Sequence, residues 1–282
     1  FLFLFFFYWG FSTVLVSRIF GEVVITTVLP NTPLEVIIGT MLLTGLALTL
    51  YGVEVMAKMN EILLPIIVFP LILIAISSYQ SAKWYHLFPI FDISWTSFFS
   101  GILMSSFAFL GFELMLVLSE YVQQSSKLYR ANAFGIMIPG IIYTLIVLSG
   151  ISVFGKEELM LLTWPTLELV KVTEVPGLIL ERLESAFLGV WVAAVFTTTA
   201  NSYLVTSLLV KQMLNLKGHK IVAGIALPIF YWLSLLPQNI HELFTYQSFI
   251  GQIGGVSAFI VPSFLLCIAV IRKKRNKGAS TS

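Results

Sequence analysis

The sequence predicts an all-α integral membrane protein built as one helix bundle, and three observations carry that prediction. Hydrophobic residues fill 58% of the 282 positions and charged residues 11%, against about 25% charged in a soluble domain. Such a chain cannot cover itself with a solvated surface. Its apolar residues gather in runs of about 20, the length a helix needs to cross a bilayer. The runs are too long and too continuously apolar for the alternating strands of a membrane barrel, and helices satisfy their own backbone hydrogen bonds, as hydrocarbon requires. The composition excludes disorder, collagen and a disulfide scaffold. The single cysteine, Cys267, has no partner in the chain, and a net charge of +2 sets up no field for nucleic acid.

Eight spans are expected. The first, 1–28, opens FLFLFFFYWG with no Met and no basic flank, so it lacks the pattern of a signal peptide. It reads as the interior of a spanning helix, and the sequence is expected to be truncated at its N-terminus. The second, 34–57, follows Thr32-Pro33-Leu34-Glu35, which predicts a capping box with Thr32 as N-cap, Pro33 at the first helical position and Glu35 reaching back. A tight junction at Asn60 and Glu61 leads to the third, 59–79. Then come 97–118, 132–154, 184–210 and 219–236. A connection holding Pro237, Asn239 and His241 precedes the last, 247–271. Residues 80–96 carry Trp84, Tyr85 and Trp95, an interfacial belt. Residues 155–183 are acidic, amphipathic and too polar to span. They predict one or two helices along the outer surface, either a structural lid or a docking face for a partner.

Lys and Arg set the orientation. With the C-terminal run Arg272, Lys273, Lys274, Arg275 and Lys277 in the cytoplasm, eleven basic residues lie inside and four outside: Lys83, Lys156, Lys171 and Arg182. Arg18 lies within a span. The tail 272–282 is therefore expected to be a cytoplasmic topology anchor.

Signals for an enzyme are poor. His86, His219 and His241 all fall in predicted connections, and His241-Glu242 is not followed by the second His of a zinc-protease helix. Asp92 is the sole aspartate, which argues against a carboxylate-rich metal site. No metal, no cofactor and no enzymatic activity are expected.

Ionisable residues inside spans are costly and point to function. Arg18 and Glu22 lie four apart on one helical face, as do Glu54 and Lys58, so each pair either bridges or snorkels to an interface. Glu113 sits well inside the fourth span in SSFAFLGFELMLVL with no basic neighbour in sequence. Gly111 weakens the helix just before it, and broken helices lining a cavity are how many transporters build their sites. Glu113 would then bond the freed amides, take a proton or face a ligand amine; the alternative is a protonated side chain bonding a neighbouring helix. The sixth span carries Thr197, Thr198, Thr199, Asn201 and Ser202, which either bond neighbouring backbone or line a wet cavity.

At FAFLGFE, residues 107–113, the pattern resembles the sixth helix of the amino acid–polyamine–cation (APC) transporter superfamily, where an aromatic-rich F-x-G-x-E segment unwinds at the substrate site. YGVEVMAKMNEILLPIIV at 51–68 and LTWPTLELVKVTEVPGLILERLESAFLGVWVAAVF at 162–196 resemble the spore germination permease family, the B subunits of endospore germinant receptors. The resemblance implies an inverted-repeat bundle of ten helices, of which the eight spans here would be helices three to ten, with the first two missing and the ligand pocket incomplete. It implies ligand contacts from Phe107, Phe109, Gly111 and Glu113 on the broken helix, from Thr198 and Asn201, and from Ser12. It further implies A and C receptor subunits as partners, a small nutrient such as an amino acid as ligand, and residence in the inner spore membrane with the C-terminus cytoplasmic. A germinant sensor is the first functional expectation. A proton-coupled amino-acid permease is the alternative, since one fold serves both, and a purely structural subunit is a third.

Overall fold

The computed structural model describes residues 2–89, 93–122, 125–173 and 183–271. Every regular element among them is helical: α1 (Leu2–Thr27), α2 (Leu34–Tyr51), α3 (Val53–Ser78), α4 (Trp95–Ser106), α5 (Leu114–Leu118), α6 (Ser125–Leu159), α7 (Pro165–Lys171), α8 (Leu183–Met213), α9 (Lys220–Ser234), α10 (Ile240–Gly255) and α11 (Val261–Ile271). The protein is an all-α membrane protein. Six helical stretches of the described residues are long and apolar enough to cross a bilayer. Two of the eight expected spans are shorter: 97–118 is interrupted, and α9 has 15 residues.

The core forms around α1 and α8. Phe5, Tyr8, Trp9 and Leu15 of α1 pack with Leu204, Val205 and Leu208 of α8 and with Leu243 and Ile250 of α10. A second cluster joins Val14 to Ile38 and Leu42 of α2 and to Tyr203 and Phe230. Several polar side chains in this interior are paired: Thr13 Oγ1 donates to the Trp9 carbonyl and to Ser202 Oγ at 3.0 Å, and the Tyr203 hydroxyl donates to the Ala223 carbonyl at 2.7 Å. Such bonds are required where no water competes. Arg18 and Glu22 do pair, at 2.7 Å, with Arg18 buried and Nη1 reaching the Ser234 carbonyl at 3.5 Å. Glu54 and Lys58 also meet at 2.7 Å, but both are exposed.

Several expected boundaries move. The second and third spans are divided at Gly52, not at Asn60 and Glu61. Gly52 has φ 87°, a conformation open to glycine and closed to helix continuation. Asn60 lies inside α3, where it exchanges two amide hydrogen bonds with Asn201 of α8, at 3.0 and 3.1 Å. The capping box at Thr32 does not form. α2 starts one residue later, at Leu34, because Pro33 is extended (ψ 138°), and no side chain caps it. A side-chain cap appears instead at Asn239, whose Oδ1 accepts from the Glu242 N–H at 2.9 Å, while Glu242 Oε2 accepts from the Gln238 N–H at 2.8 Å. α10 therefore begins at Ile240 and takes in His241, before the expected start of the last span. That last stretch is also not uniform: a π-helical turn over Val256–Ile260 separates α10 from α11.

Within 155–183, α6 runs on to Leu159 with non-helical geometry at Gly155, and α7 follows. α7 buries Leu167, Leu169 and Val170 against α3, α6 and α8, so this part of the segment is anchored to the bundle. Positions 174–182, Asp92 and the basic tail 272–282 lie outside the described residues.

Candidate functional site

The fourth expected span is broken in its middle. α4 ends at Ser106, a 3-10 turn covers Phe107–Phe109, and α5 resumes at Leu114. Gly111 takes φ 129°, which L side chains rarely adopt. The interruption frees backbone groups, and Glu113 answers one of them: its Oε2 accepts from the Gly111 N–H at 2.8 Å. Glu113 is 1% exposed, and its Oε1 is buried with no hydrogen-bond partner among the described residues. The Tyr8 hydroxyl of α1 faces this carboxyl, and Ser12 faces Tyr8 in turn.

A cavity of about 600 Å³ lies against the break. α1 supplies Tyr8, Trp9, Ser12 and Ile19; the broken segment supplies Leu110, Gly111 and Leu114; α8 supplies Thr197, Thr198 and Asn201; and α10 supplies Phe244, Gln247, Ser248 and Gly251. Four elements distant in sequence thus converge, as ligand sites between bundle helices do. No Asp, Glu, Lys, Arg or His lines it among the described residues.

Four expected site residues, Ser12, Gly111, Thr198 and Asn201, share this cavity. Three do not. Glu113 is set behind Tyr8 and Gly111 and is not on the wall. Phe109 points away to a second, more apolar cavity of about 770 Å³, lined also by Tyr143, Trp164 and Trp191, and its ring meets Tyr143 edge-on at 5.7 Å. Phe109 and Gly111 are two residues apart, a spacing at which helical residues do not share a face. The Phe107 side chain lies outside the described residues. No group of three His, Cys, Asp or Glu that would hold a metal occurs among the described residues.

Sequence reasoning missed Tyr8, Trp9, Gln247 and Ser248. Tyr8 and Ser12 are four apart and share a helical face, a usable signal hidden within an aromatic run that any spanning helix explains. Gln247, Ser248 and Gly251 show the same spacing on α10. The break also touches the π-turn: Phe112 and Phe259 rings lie 5.8 Å apart. Gly254, one turn earlier, is in such close contact that a Cβ there would collide with Tyr8 Cε2 and meet Leu110 Cδ1 at 2.8 Å.

Comparison with known proteins identifies the family. The family described as spore germination protein matches residues 1–243. Relatives include spore germination protein YndE of Bacillus subtilis (strain 168), 28% identical over 260 residues, which are 92% of this chain and 71% of that protein. Spore germination protein B2 of the same organism is 26% identical over 266 residues, 93% of this chain and 72% of the relative. Spore germination protein GerLB of Bacillus cereus is 31% identical over 198 residues, 70% and 53% of the two chains. No solved structure matches. With the family matched across most of its length and an all-α membrane bundle to go with it, the chain belongs to the spore germination protein family.

Proposed function

We propose that this chain is the ligand-responsive membrane subunit of a spore germination receptor, and that a small nutrient such as an amino acid binds in the cavity between α1, α8, α10 and the helix break. The observation that carries the reading is the position of Gly111. It lies on the cavity wall and is also the residue at which the helix is interrupted. A ligand there contacts an irregular backbone whose conformation Glu113 holds through one hydrogen bond. Binding that favours one arrangement of the break over another shifts the equilibrium between them, which is what a sensor must do. A and C receptor subunits are the expected partners, with the outer segment 155–183 as the candidate contact. The expected site of action is the inner spore membrane, with the C-terminus cytoplasmic.

Dipicolinate release from spores tests this reading. Deleting the full-length gene should abolish the response to one nutrient and leave others intact. Glu113→Gln should impair that same response at unchanged protein level; an unchanged dose–response would remove Glu113 from the switch. A second reading, a proton-coupled amino-acid permease, is favoured by the unpartnered, buried Glu113 Oε1, a natural place for a proton. Net amino-acid uptake into proteoliposomes under a proton gradient, with no germination defect in the deletion strain, would select it.

A further inference from the structure

α3 carries its charges on the side that faces away from the bundle. At about 100° per residue, Met56, Asn60 and Ile74 share one side of the helix; Met56 and Ile74 are buried, and Asn60 bonds to α8. Glu54, Lys58, Glu61, Pro65 and Phe69 succeed one another at three- and four-residue spacing along the opposite side, where Glu61 is exposed and Phe69 is 70% exposed. This stretch is the least covered of the six long apolar ones. Depth separates the charges. Val53–Ser81 has 29 residues, a length of about 43 Å against a hydrocarbon core of about 30 Å. In a centred crossing Glu54 and Lys58 stay within about 8 Å of the helix end, at the boundary, and they satisfy each other at 2.7 Å. Glu61 lies about 5 Å inside the hydrocarbon. It has no ion-pair or hydrogen-bond partner among the described residues and lines neither cavity described above. Its backbone adds to the deficit: Pro65 has no N–H, so the Glu61 carbonyl lacks its i+4 donor.

An ionisable group at this depth is costly unless it is paired, and α3 offers two acceptors there with no donor. Lipid tails supply none. A second copy of this chain fits poorly, since two such faces bring together four acids and two bases. A segment that completed the cavity would lie on the other, bundle side of α3. A Lys or Arg does fit, because it brings the missing charge and at least three donors. We propose that the outward face of α3 docks a spanning helix of a partner subunit, and that this helix carries a Lys or Arg at the depth of Glu61. The inference rests on the reading above that the chain works within a receptor of several subunits. It adds a contact inside the bilayer to the outer segment 155–183.

The test is photo-cross-linking in sporulating cells that carry the full-length gene. p-Benzoylphenylalanine replaces Ile62, which is 61% exposed beside Glu61, or Phe69 if the first variant does not accumulate. Linked peptides are sequenced by mass spectrometry. The expected adduct joins a spanning segment of a different chain, with a Lys or Arg within about two helical turns of the linked residue. Glu61→Lys should lower the adduct yield more than about tenfold at unchanged protein level, because it sets two bases against each other; Glu61→Gln should lower it less. Exchanging the base on the other chain for Glu should restore the adduct in the Glu61→Lys strain, which a packing role alone would not do. Adducts confined to lipid, to a second copy or to this chain itself, or no adduct at all, would overturn the proposal. So would a linked segment without a base, or a yield indifferent to Glu61→Lys. The deletion strain judges the receptor reading separately. Loss of a nutrient response with no adduct to another chain removes the α3 surface alone. A charge-dependent adduct to another membrane protein, with every nutrient response intact, removes the receptor reading and leaves the surface standing.

Discussion

Gly254→Ala perturbs the junction between α1, the helix break and the last span with a single methyl group. A Cβ at this position would collide with Tyr8 Cε2 and stand 2.8 Å from Tyr8 Cζ and 2.8 Å from Leu110 Cδ1. Non-bonded carbons settle at about 3.5–4.0 Å, so the ring must retreat by about 1 Å. Tyr8 is 4% exposed and packed in the core cluster, so the open space available to it is the cavity it lines. Overpacking of this kind costs about 1–3 kcal/mol. If the cost falls on one arrangement of the break and not the other, the switching equilibrium moves by about 5- to 150-fold. The assay is dipicolinate release against nutrient concentration in spores carrying the full-length gene, with receptor level followed by immunoblot. Gly224→Ala is the control, since a Cβ there meets nothing within 4 Å. Shrinking the ring in the double variant Tyr8→Leu/Gly254→Ala should restore part of the response, because contacting residues couple non-additively. A Gly254→Ala dose–response indistinguishable from that of Gly224→Ala would refute the argument that Tyr8 links α10 to the break.

Two further perturbations address stability and topology. Arg18→Met should destabilise the detergent-solubilised protein by about 3 kcal/mol, the lower end for breaking a buried ion pair, because Glu22 retains 21% side-chain exposure. Arg18→Met/Glu22→Leu should recover most of it, as read by thermal unfolding; a double variant worse than the single would show that the pair itself is not the source of the loss. If the topology expected from eleven inner against four outer basic residues holds, Lys156→Cys in a Cys267→Ser background should react with a membrane-impermeant maleimide added outside. Labelling from the cytoplasmic side alone would invert the orientation.

What was legible in the sequence is what depends on neighbours. Arg18 and Glu22 pair because i, i+4 side chains meet on any helix, and the break at Gly111 follows from one glycine before a buried acid. What depends on distant partners was not legible. Asn60 and Glu61 look like a junction because a polar pair interrupts apolar sequence, yet the partner that makes Asn60 welcome inside a helix, Asn201, is 141 residues away. Gly52, the actual division, is one glycine among nineteen, and only its φ distinguishes it. The site divides in the same way. Ser12, Thr198 and Asn201 reach the cavity on straight helices with regular faces. Phe109 does not, because it stands two residues from Gly111, a spacing that does not share a helical face, and which face of an apolar span meets a cavity leaves no composition signal.

The helices around the cavity differ in how firmly they are held, and that difference indicates where ligand energy goes. α1 and α8 are tied by the buried Thr13–Ser202 bond, by a shared core cluster, and through Asn201 to α3. A ligand bound only between Trp9 and Thr198 would bridge two parts that are already fixed relative to each other. The opposite walls are irregular: Gly111 interrupts one helix, and α10 leads into a π-turn. Irregular helical segments of this kind recur at functional sites, and here the two touch through Phe112 and Phe259. Contacts with Gly111, Gln247 and Gly251 are therefore the ones able to discriminate between arrangements, while contacts with Trp9 and the α8 hydroxyls hold the ligand equally in each. Uniform binding of that second kind sets affinity without shifting a population. Substitutions on α1 and α8 should then move the half-maximal concentration, and substitutions at Gly111 or Gly254 should also change the maximal extent of the response.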